Sequence, residues 1–212
     1  MTIAADPRVV CRVNTGNARL VALTFDDGPD PRFTPRVLDI LKHYHIKATF
    51  FIVGQNAEKY PYLVRRIARE GHSIQNHTYS HPDLPGCNRK KASEELLKNE
   101  AVIKRLSGKS PRYFRPPKGL LDDEIIEISR AKGYRIVLWT VAVENSTLIS
   151  AEDVAMSTLN RAQPGAILLA HDGRLDRSLT VEALPFIIQG YHQKGYRFVL
   201  LEELLNYEAI DR

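Results

Sequence analysis

Cysteine is scarce. The 212 residues hold two, Cys11 and Cys87, at a spacing that matches no metal motif, so neither a disulfide framework nor a redox compartment can be read from them. Long apolar runs are also missing. The first twenty residues contain no continuous apolar stretch of signal-peptide length, and nowhere does the chain approach the roughly 20 apolar residues that cross a bilayer. A soluble chain is expected, with no membrane-spanning segment; a domain cut from a longer secreted or anchored protein would look the same, so no cellular address follows. Pro/Gly/Ser-rich linkers, low-complexity tracts and short internal repeats are absent too, which leaves one domain as the expectation at this length.

Charge of neither sign dominates. The formal net charge is +5, with 26% charged and 43% hydrophobic residues, a globular balance. The small basic excess allows weak association with an anionic polymer such as an acidic cell wall. Arg89, Lys90, Lys91, Lys98, Lys104 and Arg105 read as solvated helix faces without the interleaved aromatics of a single-strand groove. No nucleic-acid partner is expected.

What is present is alternation. Apolar runs rich in β-branched and aromatic residues occur at residues 20–25, 48–53, 72–76, 113–114, 135–139, 166–170 and 196–201, and helical patterns fill 35–44, 62–70, 91–106, 122–132, 151–161 and 181–194. Gly71, Gly133 and Gly195 each end a helical pattern just before the next strand, as a left-handed helix C-cap requires. A βαβα order with such loops predicts about seven parallel strands and right-handed crossovers. Periodicity leaves open whether they form an open sheet or a barrel.

Ionisable residues gather at the carboxyl ends of these strands: Asp26 and Asp27, His77, Arg115 and His171. In parallel α/β folds that is the catalytic face. Asp-Gly-Pro alone is turn chemistry, but two adjacent carboxylates can converge if the chain bends there, as Gly28 and Pro29 permit. His77 and His81 lie four apart, a separation suited to chelation if the segment makes a helical turn. Asp27, His77 and His81 then leave coordination positions open, the layout of a catalytic zinc site. A cation there polarises a carbonyl and lowers the pKa of water, with Asp26 free as general base. Arg115 is placed to grip Asp26 bidentately, and His171 is the remaining proton carrier on that face. His43, His45, His72 and His192 read as surface or core residues and not as ligands. Pro116 and Pro117 fix a loop in which the Lys118 backbone N–H can face an oxyanion, and Trp139 lines an acetyl or sugar pocket or belongs to the core.

At these residues the sequence resembles the polysaccharide deacetylase family, carbohydrate esterases whose domain is shared with nodulation-factor deacetylases. The matching motifs are Thr24-Phe25-Asp26-Asp27-Gly28-Pro29, His77-Thr78-Tyr79-Ser80-His81-Pro82, Phe114-Arg115-Pro116-Pro117-Lys118-Gly119 and Leu169-Ala170-His171. The resemblance implies a distorted α/β barrel of about seven parallel strands over residues 20–205, with residues 1–19 as an extension or first strand and 206–212 as a tail. It also implies a divalent metal, zinc first with cobalt or nickel accepted, held by Asp27, His77 and His81. Asp26 would be the base, Arg115 its partner, His171 the acid, and Pro117, Lys118 and Trp139 would face substrate. The expected reaction releases acetate from N-acetylated amino-sugar polymers or oligomers of the peptidoglycan or chitin kind, a substrate class that favours the cell envelope or exterior. The alternatives are another amide or ester, such as acetylxylan, a small-molecule amide or a cyclic amide, and a carbohydrate-binding pseudoenzyme. Two departures stand out. Lys118 occupies a position often aromatic in the family, and the aspartate usually found after the strand at Trp139 to tune the acidic histidine is not obvious among Ala142, Glu144 and Asn145; Glu144 is the candidate substitute.

Overall fold

The structure is a computed structural model and describes Asp6 and residues 8–144 and 147–210; Asn145 lies outside them. In chain order the elements are β1 (Val9–Val10), β2 (Leu20–Asp26), α1 (Thr34–His43), β3 (Thr49–Ile52), α2 (Gly54–Lys59), α3 (Pro61–Arg69), β4 (Ser73–Asn76), α4 (Arg89–Ser107), β5 (Tyr113–Phe114), α5 (Asp123–Ala131), β6 (Arg135–Val137), β7 (Val141–Ala142), α6 (Ala151–Leu159), β8 (Ala166–His171), α7 (Ser178–Gln193), β9 (Arg197–Phe198) and α8 (Leu201–Ile210). Each of the seven apolar runs contains a strand. The three helix-exit glycines have φ of +77° to +80°, the left-handed geometry that their position demands.

All strand pairings are parallel, in the order β1-β6-β5-β4-β3-β2-β8-β7 with β9 against β2. The sheet curls toward a barrel, because β6 pairs with β5 while β7, just past the run 135–139, pairs with β8 at the other side of the sheet. Distortion enters at two seams. β1 inserts beside β6 and continues to an antiparallel bridge between Arg12 and Ala166, and β9 pairs only with the first two residues of β2.

Both faces of the central strands are covered, so β2 is buried at all seven positions and β3 at all four, the near-continuous apolar pattern of a parallel sheet. Val21, Leu23 and Phe25 join the cluster that includes Val37, Leu38 and Leu41 of α1 and Leu184, Ile187 and Ile188 of α7. Ala22, Phe51, Val137 and Ile167 instead cluster with Leu201, Leu204 and Leu205 of α8, so α8 packs on the barrel interior. By the two-residue period of a strand, Thr24 and Asp26 follow Ala22 into the lumen.

Three elements, β7, α2 and α8, depart from the sequence expectation, while β1 is the first strand allowed for within residues 1–19. β7 has two residues and α2 has six, too few for a periodicity to register. The last apolar run turns helical at Leu201, where Glu202 and Glu203 occupy the first turn, as a helix N-terminus favours.

His72 behaves as a structural residue. Its Nδ1 accepts from the Ala48 N–H at 3.2 Å, its ring meets Phe50 edge-on, and burial pushes its pKa down to about 4. The sign follows from the folded value lying below the unfolded one, about 6.5. Above that pH the residue contributes no pH dependence; between about 6.5 and 4 only the unfolded chain takes the proton, and stability falls with pH. Urea unfolding across this window is expected to show parent protein losing on the order of 3 kcal/mol relative to His72→Gln; a constant difference would remove His72 from the acid sensitivity.

Candidate functional site

The carboxyl ends of β2, β4, β5 and β8 converge. Asp26 and His171 are register partners across the β2–β8 pair, so the expected base and acid stand on neighbouring strands. Asp27 adopts φ +74°, so the bend lies at Asp27 itself, just ahead of Gly28 and Pro29, and turns its carboxylate toward the imidazoles. Asp27 Oδ1 lies 3.5 Å from His77 Nε2 and 3.0 Å from His81 Nε2.

The segment 77–82 makes no helical turn, contrary to the sequence expectation. Thr78 and His81 have φ of +68° and +57°, and the amides find side-chain acceptors. Thr78 N–H donates to Asn76 Oδ1 at 2.9 Å and His81 N–H to Thr78 Oγ1 at 3.0 Å. The histidines meet by loop geometry, with ring centroids 5.0 Å apart.

Donor chemistry supports a cation. His77 Nδ1 is 2.7 Å from the Arg115 carbonyl oxygen, an acceptor only, so Nδ1 carries the proton and the Nε2 lone pair faces Asp27. Asp27 Oδ1 is buried without a hydrogen-bond partner. A lone pair facing an orphaned carboxylate oxygen is the complement of a positive ion. One ligand atom from each of Asp27, His77 and His81 lies within 4.8 Å of the others, the only such group of metal-ligating residues among the described residues.

Arg115 reaches Asp26 differently from expectation. Its Nη1 donates to Asp26 Oδ1 at 2.7 Å and to Thr24 Oγ1 at 2.8 Å, while Nε and Nη2 donate to the carbonyls of Val137 and Leu138. The grip is single-pronged because the rest of the fork satisfies carbonyls at the end of β6. Asp26 Oδ2 is thereby left for other chemistry, 3.8 Å from His77 Nε2. Arg115 has no exposure and lies over the Phe51 ring at 4.2 Å.

His171 Nδ1 meets Glu144 Oε2 at 3.0 Å, and Glu144 Oε1 accepts from both the His171 N–H and the Thr180 hydroxyl. Burial alone would lower the His171 pKa, but the Glu144 carboxylate outweighs it and the net shift is upward. Asp172 is enclosed as well. Burial and the nearby Asp27 and Asp26 charges push it up to about 7, and the Thr34 hydroxyl donates to its Oδ2.

A cavity of about 200 Å³ opens here, lined among others by Asp26, His81, Trp139, Leu169, His171 and Arg174. Trp139 lies so close to Gly119 that a Cβ there would come 2.7 Å from the indole. Lys118 sits at the rim, its ammonium 2.8 Å from Asp83, and Pro117 is buried beneath. Sequence reasoning missed Leu169, Arg174 and Leu175. Leu169 was legible as the residue two before His171; the Arg174 loop carried no signal. A cavity of about 580 Å³ at the other end of β4 and β5 is larger, but no comparable set of carboxylates and imidazoles converges on it.

Residues 13–137 match the polysaccharide deacetylase family. Two peptidoglycan-N-acetylglucosamine deacetylases of Bacillus cereus are 42% and 38% identical, over 89% and 91% of this chain and 69% and 91% of their own lengths. A chitooligosaccharide deacetylase of Sinorhizobium fredii is 37% identical over 89% of this chain and 93% of its own. Among solved structures, a peptidoglycan N-acetylglucosamine deacetylase superposes with a TM-score of 0.89 at 39% identity, covering 93% of this chain and 92% of that one. A CE4 family pseudoenzyme from Bacillus anthracis superposes at 0.86 with 28% identity, covering 94% and 69%.

A cation bound only by the folded state stabilises it by about 2.7 kcal/mol at a hundred times Kd, or roughly 5–10 °C in a chain of this size. Addition of Zn²⁺ or Co²⁺ to metal-free protein is expected to raise Tm by that amount, and Asp27→Ala and His77→Ala are expected to lose the shift. Equal shifts in all three would place the ion elsewhere.

Proposed function

Because the chain belongs to the polysaccharide deacetylase family, we propose that it hydrolyses the N-acetyl groups of N-acetylated amino-sugar polymers or oligomers of the peptidoglycan or chitin kind, releasing acetate. One observation carries this reading: an orphaned carboxylate oxygen and two imidazole nitrogens converge beside Asp26, which is itself held by a buried arginine. Asp27, His77 and His81 would hold the cation, zinc by preference with cobalt or nickel accepted. Bound there, it supplies Lewis acidity to the acetamide carbonyl and lowers the pKa of the attacking water.

The protein groups do the rest. Asp26 takes the proton of the attacking water at Oδ2, and the Arg115 contact at Oδ1 orients the carboxylate for that step. The Lys118 backbone N–H donates to the oxygen that gains charge as the carbonyl is attacked. The C–N bond breaks as His171 delivers a proton to the departing sugar nitrogen, leaving a free amine and acetate. An upward-shifted His171 is suited to that step because the imidazolium persists toward neutral pH. Glu144 is the anchor that sets its tautomer and pKa. Leu169 and Trp139 supply apolar surface for the acetyl methyl, with Pro117 beneath the loop.

Acetylated xylan is the second substrate to test, because Lys118 paired with Asp83 forms a polar rim where the family often places an aromatic. Acetate release and product mass on chitin oligomers, peptidoglycan fragments and acetylated xylan would rank the substrates. Chelator is expected to abolish turnover and added metal to restore it. Asp26→Asn is expected to lower kcat by about 10²- to 10⁴-fold; full acetate release by that variant would overturn its role. Glu144→Gln removes the influence that raises the His171 pKa, so the basic limb of the kcat/KM profile should move to lower pH. An unmoved limb would dissociate Glu144 from the acid.

A further inference from the structure

The loop that presents His77 and His81 has no hydrogen-bonding pattern of its own. All but one of its amide donors are met from outside: His77 N–H by the Ile52 carbonyl, Thr78 N–H by Asn76 Oδ1, and Tyr79 and Ser80 N–H by Glu95, while His81 N–H is met within the loop by Thr78 Oγ1. Glu95 alone takes three donors. Its Oε2 accepts from the Tyr79 N–H at 2.9 Å and the Ser80 N–H at 2.7 Å, and its Oε1 from the Ser80 hydroxyl at 2.7 Å. Successive amides converging on one carboxylate make a nest for negative charge.

Two more residues of α4 hold the same loop. The Lys98 ammonium sits 3.6 Å from the centroid of the Tyr79 ring. Asn99 is wholly buried and donates through Nδ2 to the Ile52 carbonyl and to Asn76 Oδ1, the oxygen that also accepts from Thr78. Residues 95, 98 and 99 follow the i, i+3, i+4 spacing that places side chains on one helix face.

We infer that this face of α4 is the outer shell of the metal site, and that Glu95, Lys98 and Asn99 are positioning residues that set cation affinity by holding the His77–His81 loop in its left-handed conformation. The physical reason is strain. Thr78, a β-branched residue, and His81 both have positive φ, a conformation that persists only where surrounding contacts over-determine it. Freed from Glu95, the amides of Tyr79 and Ser80 would turn to water, the loop would relax, and the His81 nitrogen would spend less time within reach of Asp27. Affinity would fall although every ligand is intact.

The inference rests on the metal reading above and is tested without turnover. Kd for Co²⁺ is measured on the full chain by competition with a chromophoric chelator, together with the visible spectrum of the Co²⁺ form and the Tm of the metal-free protein. Glu95→Ala is expected to weaken binding by about 10- to 100-fold, the range typical of outer-shell losses, with an altered Co²⁺ spectrum. Glu94→Ala removes a carboxylate from the exposed side of the same helix and should leave Kd within about twofold of the parent. Glu95→Asp keeps the charge but withdraws its reach, and is expected to weaken binding too; it decides the matter if Glu95→Ala does not fold. Parent-like Kd and spectrum in the folded Glu95 variant overturn the role given to α4 and leave the metal reading standing, whereas a parent protein that takes up no cation overturns both.

Discussion

The site is organised around a guanidinium that water cannot reach. Arg115 is buried at the barrel mouth, and each of its three nitrogens is committed to an acceptor on β2 or at the end of β6. Desolvation pushes its pKa down while Asp26 opposes that push. Removing one partner of such a buried pair typically costs about 3–5 kcal/mol, because the other charge is left uncompensated. The backbone carbonyl of the same residue also orients His77. A single residue thus fixes the carboxylate expected to move protons and the tautomer of an imidazole expected to bind metal.

Backbone strain is distributed unevenly. Among the described residues six non-glycine positions have positive φ, and five of them, Asp27, Thr78, His81, Lys118 and Arg174, belong to the loops that build the cleft. At about 1–3 kcal/mol each, their sum is of the order of a typical domain's net stability. The barrel core and the hydrogen bonds to the loops must therefore sustain conformations that the loops would not adopt alone. Catalytic loops on a rigid parallel scaffold show this pattern when function, and not local stability, selects their shape.

Of the two positions at which the sequence departs from the family pattern, the geometry answers one. The usual aspartate near Trp139 is not evident in sequence, but a glutamate at 144 reaches His171 with one oxygen on the ring and the other on its backbone N–H. A side chain longer by one methylene reaches from the loop after β7 to the end of β8, and Thr180 of α7 holds it there. The pairing is invisible to motif matching because the three residues come from separate elements.

By itself the sequence determined the alternation of strands and helices, the parallel direction, the glycine exits and the carboxyl-end location of Asp26, Asp27, His77, Arg115 and His171. Those features depend on local periodicity and on which residue types the chain can tolerate at a strand end. Only the tertiary structure decided that the His77–His81 loop is not helical, that Arg115 takes Asp26 with one prong, that Glu144 hydrogen-bonds His171 and that Glu95 of α4 anchors the His77–His81 loop. These depend on contacts between residues distant in sequence, where hydrogen-bond donors choose among acceptors that only the folded barrel brings within reach.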